Sequence, residues 1–93
     1  MKRTRLLQEG AVLRTKEMKG AQGAVFPKHT ASLESALIML EGAATITFPD
    51  AAHTLRAGDT FIVPAGEVHQ VVASPDFTAV HVMPNDIRFN FNV

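Results

Sequence analysis

GDTFIVPAGEVH, residues 58–69, is a strand-like run held between two turns. Gly58-Asp59 and Pro64-Ala65-Gly66 carry turn chemistry, because glycine takes backbone angles that side chains forbid and proline presets its own φ. Between them, Thr60–Pro64 (TFIVP) is β-branched and aromatic, the composition of a strand. The second turn is expected to reverse the chain so that His69 opens a strand beside the one before it. Outward from this run, the same punctuation recurs. Ala11–Met18 (AVLRTKEM) reads as a polar-faced strand closed by KGAQG, and AVF leads into Pro27. Ala44–Phe48 (ATITF) alternates and ends at Pro49-Asp50, and His53–Leu55 is a short strand before the next turn. His69–Ala73 (HQVVA) and Phe77–Met83 (FTAVHVM) complete the series. Short strands at close spacing, with turn signals between them, predict an all-β sandwich or barrel.

One segment argues against a purely β reading. Leu33–Ala44 (LESALIMLEGAA) is rich in helix formers, and Gly42 stands where a helix C-cap would. Periodicity does not decide a continuous apolar run of this kind. Its surroundings favour a strand, and Ala36–Leu40 (ALIML), apolar on both alternating faces, predicts one buried on both sides.

Bulk properties bound the rest. At 93 residues the chain is expected to form one domain, and 46% hydrophobic with 19% charged residues describes a globular protein. No apolar run approaches the ~20 residues that span a bilayer, so no membrane partner is expected. The N-terminal MKRTRLLQEG lacks the apolar core of a secretory signal, which makes a cytoplasmic location the default expectation. The absence of cysteine excludes disulfides and thiolate chemistry.

Charge is balanced in total but split along the chain. Up to Lys28 there are seven basic residues against Glu9 and Glu17, and from His29 onward Arg56 and Arg88 face seven acids. The basic part holds a single aromatic residue, Phe26, so nucleic-acid binding is not expected. We expect it to pack against the acidic remainder, of its own chain or of a second copy. GAQG (residues 20–23) lacks the lysine and following helix of a phosphate-binding loop.

Taken together, Gly58, Pro64, Gly66 and His69 are similar to the second motif of the cupin superfamily, G-x5-P-x-G-x2-H-x3-N, with Ala73 in place of the final asparagine. Aligning the last glycine of the first cupin motif, G-x5-H-x-H-x3-E-x6-G, on Gly42 places His29 on its first histidine. The resemblance covers about residues 23–84. It implies a double-stranded β-helix, the jelly-roll barrel of small single-domain cupins. Residues 1–22 would then be an N-terminal strand region and 85–93 a C-terminal tail.

The resemblance also implies a divalent metal held by three histidines and a glutamate. Only His29 and His69 survive residue by residue, because Ala31 and Ser35 stand at the other two positions. Glu34 is one residue off the glutamate position, which in a strand is the opposite face, so it joins the set only if a β-bulge re-aims it. His81 is the compensating candidate. It sits where small cupins often place a polar residue facing the cavity, with Phe77, Ala79 and Met83 at the same parity. His29, His69 and His81 would suit Zn, Fe, Ni, Cu or Mn, leaving other positions to water or substrate. Leu37, Met39, Phe48, Phe61 and Met83, together with Val63, are the expected lining of an apolar pocket.

His53 reads as a structural histidine. Ser35 is within reach of His29 or His69, but no orienting acid accompanies it, so no hydrolytic triad is assigned.

Three functions fit these residues. The first is a small cupin binding a small organic ligand in its barrel, with or without a metal on the histidines, and pairing as a homodimer. The second is a metal-dependent dioxygenase or sugar-acid isomerase/lyase. The third is a metal-free sensor or accessory module, which the lack of an attached DNA-binding or catalytic domain disfavours.

Overall fold

A computed structural model describes residues 1–93. Its elements are all strands: β1 (Lys2–Glu9), β2 (Leu13–Gly20), β3 (Val25–Ala31), β4 (Ser35–Phe48), β5 (Ala51–Arg56), β6 (Thr60–Val63), β7 (His69–Pro84) and β8 (Phe89–Asn90). No helix is present that is long and apolar enough to cross a membrane.

Two long strands form the spine, β4 with 14 residues and β7 with 16. They pair antiparallel along most of their length, from Ala36↔Val82 to Thr47↔Gln70. Each also serves two shorter neighbours on its other edge. The first half of β4 pairs with β6 and the second half with β5. β7 takes β3 along its first residues and β2 along Phe77–Pro84. β1 extends the sheet beyond β2, and β8 extends it beyond β3. The result is a curled jelly-roll sheet whose main apolar face is turned inward, while Leu40 and Ile62 on the other face are exposed.

Both long strands bend at the same level. Bulges interrupt the β4–β7 ladder at Met39/Glu41 and Gly42/Ala44. Gly42 has a φ of 73°, and a Cβ there would fall on the carbonyl oxygen of Asp76 in β7. A glycine at this crossing lets the strands touch and turn together. The turn at Gly58-Asp59 docks against the same bend, with Gly58 N–H donating to Met39 O and Met39 N–H donating to Asp59 O.

Four strand expectations change. Ala44–Phe48 is the second half of β4, and His69–Ala73 and Phe77–Met83 are one strand, because the intervening turn-like residues bend the chain without ending it. β7 does not pair with β6, since the turn after Pro64 carries the chain across to β3. ALIML is buried on one face only: Leu37 and Met39 lie in the core, whereas Leu40 is 51% exposed.

Within the chain itself the charge expectation also changes. The two ion pairs, Arg3–Glu17 and Arg5–Glu17, lie within the basic N-terminal part, because β1 pairs directly with β2.

The main core gathers residues from β2 through β7, among them Met39, Ile46, Phe48, Val71, Phe77 and Ala79. A second, smaller cluster of Ala31, Met83 and Ile87, with Phe89 packed against it, closes one end.

Candidate functional site: a histidine-lined cavity

Between the two clusters lies a cavity of about 420 Å³. His29, His69 and His81 all line it, as do Leu37, Val63 and Met83.

His29 and His69 are placed by register. They are direct partners across β3 and β7, and their ring centroids are 4.4 Å apart. Each ring is fixed by the carbonyl two residues before it, Pro27 O at 2.8 Å from His29 Nδ1 and Glu67 O at 2.9 Å from His69 Nδ1. A carbonyl oxygen only accepts, so Nδ1–H is the donor in both rings and Nε2 is the nitrogen left for other partners. This is the orientation in which backbone carbonyls commonly hold metal-binding imidazoles. Phe91 and Phe89 flank His29 with centroids at 5.0 and 5.5 Å.

His81 has a different setting. Its Nε2 is 2.7 Å from Ser35 Oγ, so the predicted neighbour of Ser35 is corrected from His29 or His69 to His81. On the pleat, Ser35 shares the inward parity of Leu37, whose direct partner across the ladder is His81. Burial pushes the His81 pKa down to about 4, reinforced by the nearby His29, His69, Lys16 and Arg14. The His69 pKa is also lowered, mainly by burial, against the opposing pull of the Glu67 carbonyl bond. Both rings are therefore neutral at pH 7, available as lone-pair donors or hydrogen-bonding groups.

The remaining candidates divide by depth and face. Met39, Phe48 and Phe61 do not line this cavity: Met39 and Phe48 are core members, and Phe61 packs against the core. Parity assigns them an inward face, but they pack into the core cluster away from the cavity wall. Glu34 is exposed, precedes β4 with no bulge to re-aim it, and lies outside the cavity, while Ser35 beside it is only 6% exposed. Ala31, at the family's second histidine position, is 2% exposed and sealed against Met83 and Ile87. His53 lies on β5 against Phe48 and Phe61, outside the cavity. No three histidine or acidic side chains stand at metal-ligand spacing, so the trio shares a cavity without forming a closed ligand set.

Sequence reasoning missed the cationic side of the site. Lys2, Arg3 and Lys16 line the cavity, whereas no aspartate or glutamate does. Lys16 had a signal available, since it shares the parity of Met18, the one buried apolar residue of β2.

A sequence-family profile described as a Cupin domain matches residues 16–83. Among curated proteins none matches the sequence. Among solved structures, the chain is similar to a cupin superfamily protein from Desulfitobacterium hafniense, with a TM-score of 0.84 and 21% identity over 92% of this chain and 79% of that one. It is similar to a cupin-2 domain containing protein from Shewanella frigidimarina, with a TM-score of 0.80 and 25% identity over 89% and 80%. The polyketide cyclase RemF from Streptomyces resistomycificus shares the fold at a TM-score of 0.88, with 20% identity over 99% of this chain and 71% of that one. A salicylate 1,2-dioxygenase from Pseudoaminobacter salicylatoxidans does so at 0.86, with 14% identity over 98% of this chain but only 29% of that one. The matched profile spans most of the strands that build the cavity, and the chain belongs to the cupin family.

Proposed function

We propose that this cupin binds a small organic molecule in the histidine-lined cavity, with residues 1–93 acting as one unit around it. One observation carries the reading: three imidazoles and an apolar floor that includes Leu37 and Met83 meet in a single cavity of about 420 Å³. That is the size and mixture of a small-molecule site, in which apolar walls supply affinity and a few polar groups fix orientation.

The four histidines provide their own control, because His53 is outside the cavity. Small aromatic and aliphatic fragments at millimolar concentration should shift the ring C–H signals of His29, His69 and His81 in NMR spectra and leave His53 in place. A library that moves none of the three, or moves His53 equally, removes the reading.

A second reading, a metal-dependent enzyme, is favoured by the His29–His69 pair, whose Nδ1–H groups are both held by backbone carbonyls. Their two Nε2 atoms suit a divalent transition metal, with His81 as the third donor once it releases Ser35. A metal there would supply Lewis-acid polarisation of a bound oxygen. Dioxygenase and isomerase/lyase chemistry are the reaction classes in view. Metal analysis of protein purified without a histidine tag separates the readings. Stoichiometric metal, lost in a His29→Ala/His69→Ala variant, supports the enzyme. Protein that stays metal-free after incubation with Zn²⁺ leaves organic-ligand binding alone.

A further inference from the structure

The cavity wall is electrically one-sided. Three cations and no carboxylate line it, although the chain as a whole has equal numbers of basic and acidic residues. Two of these cations already have partners. Arg3 pairs with Glu17 at 3.5 Å. Lys2 donates to Val25 O at 2.8 Å and lies 5.6 Å over the Phe26 ring. Arg14, the next cation along β2, donates to Asn85 O at 2.7 Å and is not part of the lining.

Lys16 is different. It is half-buried, lines the cavity and takes part in neither ion pair of the structure. It is the direct partner of His81 across β2 and β7, and directly opposed residues in an antiparallel ladder present their side chains on the same face. A half-buried lysine on a cavity wall that carries no carboxylate is a ready seat for an anion.

The histidines have other partners for their ring nitrogens. His29 and His69 spend their Nδ1–H on backbone carbonyls, and His81 Nε2 is held by Ser35 Oγ. The positive end of the cavity is therefore the Lys16 end, next to the aliphatic Leu37 and Met83.

We infer that the ligand is a small organic monocarboxylate, its carboxylate seated on Lys16 and its apolar body against Leu37, Ile46 and Met83. This inference rests on the organic-ligand reading above and names the class of molecule within it.

The test uses a matched pair of probes, cyclohexanecarboxylate and its neutral amide cyclohexanecarboxamide, titrated against the full chain at pH 7 and followed through the histidine ring signals. Same-shaped probes hold the apolar contribution constant, so the difference reads the charge. A charge-assisted contact to Lys16 should make the acid bind about tenfold more tightly than the amide. Lys16→Met should bring the acid down to about the amide's affinity, and histidine ring signals that still move when the amide is added show that the cavity is intact. Lys16→Arg should keep the preference. If acid and amide bind equally to wild type, the inference fails and the organic-ligand reading stands. Preference retained in Lys16→Met also overturns it, because the charge is then read elsewhere. If neither probe moves the cavity histidines, the inference falls, and the fragment library decides separately on the wider reading.

Discussion

The two ends of β7 carry the same residue and treat it in different ways. At its start, His69 faces a second histidine, and a backbone carbonyl fixes its tautomer. Toward its end, His81 faces a serine hydroxyl and a lysine, and no carbonyl orients it. A carbonyl partner can only accept, so it commits the ring to one tautomer and keeps the other nitrogen open. A hydroxyl both donates and accepts, so it occupies a nitrogen without deciding its proton. The His69 end is therefore built to present lone pairs, and the His81 end to hold a neutral, hydrogen-bonded ring beside a cation. One strand supplies both, and whatever disturbs its shape disturbs the comparison.

The largest disturbance is at the bend that joins the two ends. Gly42→Ala forces a side chain into the left-handed region and onto the Asp76 carbonyl oxygen. We expect a loss of at least about 3 kcal/mol, read as a drop in Tm on the order of 15 °C for a chain of this size. Gly66→Ala is the control. Gly66 also has positive φ, at 80°, but no atom lies within 4 Å of its would-be Cβ. Its cost should be the backbone strain alone, about 1 kcal/mol. Equal losses in the two variants would mean that the β4–β7 crossing at Gly42 is not tight.

The next effect separates the two histidines by pH. The His81 pKa falls from 6.5 in an unfolded chain to about 4 in the fold. Above pH 6.5 the ring is neutral in both states and costs nothing. As pH falls below 6.5, the unfolded chain takes up a proton that the folded chain refuses, so stability declines until about pH 4. The full decline amounts to about 3 kcal/mol. His69 contributes in the same direction. Denaturant titrations between pH 7 and pH 4 should show wild type losing stability, His81→Gln losing the greater part of that slope, and His69→Gln keeping more of it. A His81→Gln variant with the wild-type slope would place the acid sensitivity elsewhere.

Much of this molecule could be read from its residues, and the failures have a common cause. Turn chemistry at Gly58-Asp59 and Pro64-Ala65-Gly66 is local, and so was legible, as was the strand character of the runs around it. The continuity of β4 and β7 was not. Gly42 and Ser74-Pro75 look like terminators, and only the partner strand reveals that they are bends. The same limit governs the site. Alternation correctly turned Leu37 and Met83 inward, and it turned Met39 inward too. It gives the face of a residue but not its depth, and Met39 ends in the core rather than at the cavity. Lys16 was missed for the converse reason. A lysine in a polar strand reads as solvent-facing until β7 is known to lie beside it. Phe89 and Phe91, assigned to a tail, line the cavity because β8 pairs back onto β3 at Thr30 and Ala31.

The smallest effect bears most directly on what the His81 end is for. Ser35→Ala removes the one partner of His81 Nε2 and should cost about 1 kcal/mol of stability, a typical net value for one hydrogen bond. It also makes the two ends of β7 more alike, since Nε2 of His81 is then free as Nε2 of His69 is. If His81 completes a metal set with His29 and His69, wild type must break the Ser35 bond before the third imidazole can bind, and the variant need not. Zn²⁺ affinity, followed through the ring signals of His29 and His69, should then rise about fivefold in Ser35→Ala, the same energy expressed as a binding ratio. Should the affinity stay unchanged while His81 signals remain still on metal addition, His81 is not a ligand. Its place is then with Lys16, at the end of the cavity that receives the organic molecule.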